Sequence, residues 1–212
     1  MKSRIIAVLA AGLLSASPAF AASITIDFEG PTSFASIDRF YKGGTDSAGA
    51  AGPDLGVTFG LDALGLKNDE LGPYFSNAPS PIGVLAPVGP SAAMNFSGGF
   101  RGVASFFYTS TAAATVSVWS GMNGSGTELG SFVLANNAQS NGCSDSPFCN
   151  WSLASFDIGD TDMARSITFG DAAALAAFDN LTINAVPEPG TGVAFAIGVA
   201  MLGFAGRRRR AG

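Results

Sequence analysis

Between residues 23 and 186 no segment keeps the 3.6-residue apolar period of a helix, and this constrains the fold more than any other property of the chain. What recurs instead is a short stretch that alternates or runs apolar, closed by glycine or a polar cluster. Nine such stretches are predicted as strands, at residues 24–28, 57–61, 92–96, 102–108, 115–119, 129–134, 151–158, 166–169 and 178–183. In the strand at 115–119, Val116 and Val118 fall on one face, with Thr115, Ser117 and Trp119 on the other. The run Gly121-Met122-Asn123-Gly124-Ser125-Gly126 then turns the chain into the next strand as a hairpin. The 28 glycines follow no collagen-like repeat, so they read as turns. The expected fold class is all-β, an antiparallel two-sheet β-sandwich of jelly-roll type. A chain of 212 residues has room for one such domain, residues 23–185, and for processing segments at its ends.

Six of the eleven basic residues sit in the first four and last six positions, which leaves five bases against fifteen acids between residues 23 and 186, a net of −10. A surface of that sign repels phosphate backbones, so nucleic acid is excluded as a partner and hard cations are favoured. The chain has no histidine, which removes Ser-His-Asp and Cys-His catalysis and His-ligated zinc or iron. Its two cysteines, Cys143 and Cys149, allow one disulfide and no zinc cluster.

Residues 1–22, MKSRIIAVLAAGLLSASPAFAA, join a basic start (Lys2, Arg4), ten apolar residues and the small-residue triplet Ala19-Phe20-Ala21. That order predicts a secretory signal peptide, passed by the Sec machinery and removed by signal peptidase. Export to an oxidising compartment predicts the Cys143–Cys149 disulfide, whose short ring stabilises the fold by roughly 2 kcal/mol. At the other end, residues 191–206 carry no charge and as a helix would span about 24 Å, near the lower limit for a bilayer. Arg207, Arg208, Arg209 and Arg210 follow, a cationic cap that holds the terminus in the cytoplasm. The expected topology tethers the body to the outer side of the inner membrane.

Pro187-Glu188-Pro189, then an apolar helix, then an arginine cluster: residues 186–212 resemble the PEP-CTERM sorting signal of Gram-negative bacteria, also known as an ice-binding-protein C-terminal domain. The resemblance implies an exosortase as partner, a membrane-embedded cysteine protease and transpeptidase that processes the tail near Pro187-Glu188-Pro189. It further implies transfer from the inner membrane to the cell surface or extracellular polysaccharide. The two prolines keep the segment extended above the membrane. The stretch FFYTSTAAATVSVWSGMNGSGTELGSFVL is similar to strands of the carbohydrate-binding-like sandwiches found in exported PEP-CTERM proteins.

Period-two spacing puts Ile24, Ile26 and Phe28 on one face of the first strand and Asp27 and Glu29 on the other, while Asp179 stands at the entrance of the last. Pairing of the terminal strands would gather Asp27, Glu29 and Asp179, which resembles the calcium site at the edge of many carbohydrate-binding sandwiches. A structural Ca²⁺ would be their ligand, and solvated strand ends are the alternative. Asp157-Ile158-Gly159-Asp160-Thr161-Asp162 lacks the EF-hand order and reads as a turn, and residues 43–54 read as a long flexible loop. Tyr41, Tyr74, Tyr108, Trp119 and Trp151 are candidates for stacking on sugar rings, with Tyr74 and Trp119 foremost; for Trp119 and Trp151 burial in the sandwich is the more common fate, while Tyr74 lies in a loop. No catalytic residue is assigned. The expected function is that of a non-enzymatic, exosortase-sorted surface or matrix protein acting in adhesion or exopolysaccharide structure. The alternatives are a calcium-stabilised carbohydrate-binding module and a polysaccharide hydrolase using a carboxylate pair such as Asp69 and Glu70, or Asp27 and Glu29.

Overall fold

The structure, a computed structural model, describes residues 22–68 and 74–186. Eleven strands run through them: β1 (Ala22–Ile26), β2 (Val57–Phe59), β3 (Ala63–Lys67), β4 (Gly83–Pro87), β5 (Ala93–Phe100), β6 (Val103–Ser110), β7 (Ala114–Trp119), β8 (Glu128–Leu134), β9 (Ser152–Asp157), β10 (Ala164–Thr168) and β11 (Ala176–Ala185). Every strand pair is antiparallel. The expected all-β class holds, and among the described residues the helical content is two single 3₁₀ turns, Ser140–Gly142 and Gly170–Ala172.

Neighbours in space are seldom neighbours in sequence. One run of paired strands follows the order β3-β4-β11-β6-β9, and the other β2-β5-β10-β7-β8. The terminal strands pair as the sequence predicts, β1 lying along β11 with Ile26 opposite Leu181 and Ala22 opposite Ala185. A single pair, Ala185 with Phe100, joins the two runs. Between them sits the main core, built from the inward half of each alternation: Val116 and Val118 of β7, Ile167 of β10, Met94 of β5 and Phe178 of β11.

Two strands were not foreseen, β3 and β4. All five residues of β4 are buried. Leu85 faces the main core, whereas Val84, one residue earlier, packs on the opposite side into a second cluster with Phe75, Ala138, Phe148 and Ala177. A strand covered on both faces shows no alternation, and the Gly65 and Pro87 of this hairpin read as loop residues.

Residues 43–54, expected as a flexible loop, are tightly organised. Asp46 is buried, and its carboxylate accepts hydrogen bonds from the backbone N–H of Thr32 (2.7 Å), Ala48 (2.9 Å) and Ala50 (2.9 Å). Burial pushes this carboxyl up, but those three donors outweigh it and hold it below the usual aspartate range.

Candidate functional site

The outward residues of β7 and β10 form a polar face with one aromatic ring on it. Trp119 is half-buried, and its indole Nε1 donates to Thr168 Oγ1 at 3.0 Å, which fixes the ring across β10. The predicted hairpin forms, with Gly121 N–H bonded to the Ser125 carbonyl, and its tip folds back over the sheet rather than projecting into water. Asn123, in a left-handed conformation (φ 55°), exchanges two bonds with the buried Asn95: its N–H reaches Asn95 Oδ1 at 2.6 Å and its Oδ1 receives Asn95 Nδ2 at 2.8 Å. Gly124 N–H donates to Ser166 Oγ, which in turn donates to the Gly121 carbonyl. Only glycine fits at 124: φ is +67°, and a Cβ would come within 2.8 Å of the Thr168 methyl. The result is a hollow of about 350 Å³ lined by Trp119, Asn123, Thr168, Asp171 and Pro90. A flat aromatic face beside an amide, a hydroxyl and a carboxylate suits a ring that carries C–H groups on one side and hydroxyls at its edge.

A second hollow, of about 580 Å³, opens on the outer face of β6, where Phe107 points away from the core that Phe106 enters. Segments 74–80 and 137–151 cover this side, and the expected disulfide between Cys143 and Cys149 closes the second of them, with its Cα atoms 5.9 Å apart. Trp151 is half-buried and donates from Nε1 to the Ser76 carbonyl at 3.0 Å. Tyr74 is 53% exposed, as expected, but lines neither hollow; it lies edge-on to Phe75 at 5.0 Å between ring centres. Tyr41 and Tyr108 are 3% and 5% exposed and so leave the list of sugar-stacking candidates. Asn77, Asn123 and Asn141, which shape both hollows, were not singled out from sequence. All three adopt positive φ, and asparagine within glycine-rich or polar turns was the signal that could have found them.

The three acids expected around calcium are drawn to one end of the sandwich, yet among the described residues no three acidic side chains stand close enough to hold an ion. Each is taken by the protein instead. Glu29 Oε1 accepts the backbone N–H of Ile82 (3.0 Å) and Gly83 (2.8 Å), and the exposed Asp27 accepts that of Glu29. Asp179 is not at a strand entrance but inside β11 and fully buried. Its carboxyl meets Ser80 N–H at 2.7 Å, Asn180 N–H at 2.6 Å and Ser80 Oγ at 2.8 and 2.9 Å. Burial, with the charge of Glu29 adding to it, pushes the Asp179 carboxyl above the usual aspartate range against the opposing pull of the Ser80 and Asn180 donors. The Asp157–Asp162 segment is a turn, closed by Gly159 N–H on Asp157 Oδ1. Asp69 and Glu70 lie outside the described residues, as do residues 1–21 and 187–212 with the expected signal peptide, membrane helix and arginine cluster. No helix among the described residues is long and apolar enough to cross a membrane.

Among solved structures, the chain is similar to the K2 cleaved adhesin domain of Lys-gingipain, at 11% identity and a TM-score of 0.49, over 77% of this chain and 99% of that one. It is also similar to a family 29 carbohydrate-binding module from Piromyces equi, at 11% identity and a TM-score of 0.42, over 78% and 91% of the two chains. No curated protein matches the sequence. Residues 185–210 match the family described as the PEP-CTERM protein-sorting motif, and the chain is therefore one that carries a PEP-CTERM sorting signal behind its β domain.

Proposed function

We propose that this protein is exported, sorted by an exosortase to the cell surface or polysaccharide matrix, and acts there without catalysis, as a jelly-roll sandwich that holds polysaccharide in the Trp119 hollow. The sorting motif at 185–210 supports the route. The strand orders support the jelly roll: β4, β6, β9 and β11 lie in one run and β5, β7, β8 and β10 in the other, so the chain passes between them at nearly every step. Binding rests on one observation above the rest, the indole of Trp119 pinned by Thr168 on the outer face with Asn123 and Asp171 beside it. Hydrolysis is disfavoured, since two carboxyl groups must flank a scissile bond about 5–9.5 Å apart and, among the described residues, Asp171 is the one carboxylate lining this hollow. The reading includes no ion: the backbone N–H groups of Ile82 and Gly83 on Glu29, and of Ser80 on Asp179, support a domain that folds without one.

Two measurements test the reading. Intact mass of the protein from its native host is expected to lack both residues 1–22 and Arg207–Arg210, and to keep the arginines when the exosortase is deleted; identical tails in both strains overturn the route. Trp119→Ala is expected to weaken binding to the host's matrix polysaccharide at least tenfold, the loss typical of a central aromatic anchor, while Tyr74→Ala leaves it unchanged. Equal binding by wild type and Trp119→Ala overturns the assignment of the hollow.

A further inference from the structure

The geometry points to a second carbohydrate site in the Trp151 hollow, selective for a polymer of amino sugars with free, protonated amines; it deepens the glycan-binding reading above and rests on it. The selectivity follows from the direction of the amide groups. Asn77 Nδ2 donates to the Cys149 carbonyl at 3.1 Å, and Asn150 Nδ2 donates to the Asn137 carbonyl at 3.1 Å. Both acceptors are backbone carbonyls, which fixes the nitrogen end of each amide against the protein, although each NH₂ keeps a second hydrogen. Asn150 Oδ1 then receives Asn141 Nδ2 at 3.2 Å, which turns the third amide the same way. Among the described residues that line the hollow, Asn77 Oδ1, Asn141 Oδ1 and the exposed Asp145 carboxylate receive no hydrogen bond, four acceptor oxygens against the second amide N–H of Asn141 and of Asn150.

Such a lining holds more free acceptors than free donors and carries the negative charge of Asp145. Sugar hydroxyls can donate to it, and an ammonium group does so three times over while meeting the charge of Asp145 and the face of Trp151. A uronic acid brings a carboxylate against oxygen atoms on a body whose net charge is −10 between residues 23 and 186. The hollow, at about 580 Å³, has the size of an ordinary ligand site, and the Cys143–Cys149 bridge fixes the loop that carries Asp145.

The full chain, and the full chain bearing Trp119→Ala, are titrated by calorimetry with tetramers of glucosamine, of N-acetylglucosamine and of galacturonic acid at pH 5.5. In the Trp119→Ala chain the glucosamine tetramer is expected to bind about tenfold tighter than its acetylated counterpart, the galacturonate tetramer not at all, and added salt to erode the preference. Asp145→Asn, a substitution at an exposed position, is expected to weaken glucosamine binding about tenfold and N-acetylglucosamine binding by no more than about threefold, so that the preference between the two collapses. Equal affinity for the two amino sugars, binding of galacturonate, or an unaltered glucosamine affinity in Asp145→Asn overturns the inference. If Trp119→Ala silences every tetramer, the site at Trp119 stands and this one falls; if no tetramer binds either chain, this inference falls and the Trp119 site is judged by its own test on the matrix polysaccharide.

Discussion

Asp179→Ala is expected to cost about 3–5 kcal/mol of stability, whereas Asp179→Asn is expected to cost about 1–3 kcal/mol at neutral pH. The difference comes from how protons are shared around Ser80. Its hydroxyl lies within hydrogen-bond distance of four acceptors: both Asp179 oxygens, the Asp27 carbonyl at 2.9 Å and the Gly83 carbonyl at 3.3 Å. One hydroxyl proton serves one of them. With a proton on Asp179 the set closes, Asp179 donating to Ser80 Oγ and Ser80 donating to Asp27. An asparagine reproduces only part of that pattern: its NH₂ can donate to Ser80 Oγ and its oxygen can keep one backbone N–H, but Ser80 N–H and Asn180 N–H meet different oxygens of Asp179, so one of them loses its acceptor. Alanine leaves both N–H groups stranded beside a buried void.

The same arrangement sets a pH dependence. Because the folded carboxyl lies above the ordinary aspartate value of about 3.9, the native state binds more protons than the unfolded chain between that value and its own. This contribution is therefore complete below about pH 4 and is lost as pH rises through the raised value. Asp46 works in the opposite sense, its depressed carboxyl adding stability at higher pH that fades as pH falls, so the two must be separated. The stability of wild type minus that of Asp179→Asn, from denaturant melts between pH 3 and 8, isolates the first: it should decline with rising pH. A difference that stays flat or climbs would show Asp179 to be an ordinary charged carboxylate. EDTA is expected to shift neither melt; a midpoint that falls with EDTA and recovers with Ca²⁺ would restore the ion in place of the proton.

Physical periodicity decides which of these features could be read from the chain. β7 and β11 each bury every second residue over part of their length, and in β1 the half-buried Ile24 and buried Ile26 alternate with exposed residues, so Ile26, Val118 and Ile183 announced their strands, and the terminal pairing followed. The same alternation set Trp119 on the face opposite Val116 and Val118, but burial was the fate expected for its ring, and the half-buried position over Thr168 came only with the fold. β4 was not, since Val84 and Leu85 are both buried in different clusters and nothing alternates. Nor was the burial of Asp179, because an aspartate among apolar residues reads as a strand end unless Ser80, 99 positions away, is known to meet it. The asparagine relay escaped for a related reason: a turn signal gives the backbone's conformation, while the direction of an amide depends on which carbonyl lies across from it. Local pattern reaches elements and faces; partners distant in sequence set the chemistry of the sites.

Phe106→Ala is expected to be as damaging as any core change here, about 3–5 kcal/mol, with a fall in melting temperature of about 6–20 °C for a domain of this size. Phe106 is fully buried at the meeting point of both strand runs. Its ring lies 5.4 Å from Phe178 of β11, 6.1 Å from Phe156 of β9 and 6.2 Å from Phe132 of β8, and 6.3 Å from Phe169 just after β10, each in an edge-on arrangement. Removing it empties a space walled by four rings that β-strand backbones hold apart, so the core relaxes little and the cavity cost is paid nearly in full. Leu153→Ala, on the strand beside it but 60% exposed, should change stability by less than about 0.5 kcal/mol. Because Phe107 and Trp119 face outward while Phe106 and Val118 face inward, the variant should bind oligosaccharide with wild-type affinity well below its own melting point. A Phe106→Ala protein that melts like wild type would show that the two strand runs do not pack through this ring; one that stays folded yet loses binding would show that the hollows depend on the core behind them and not on the side chains that line them.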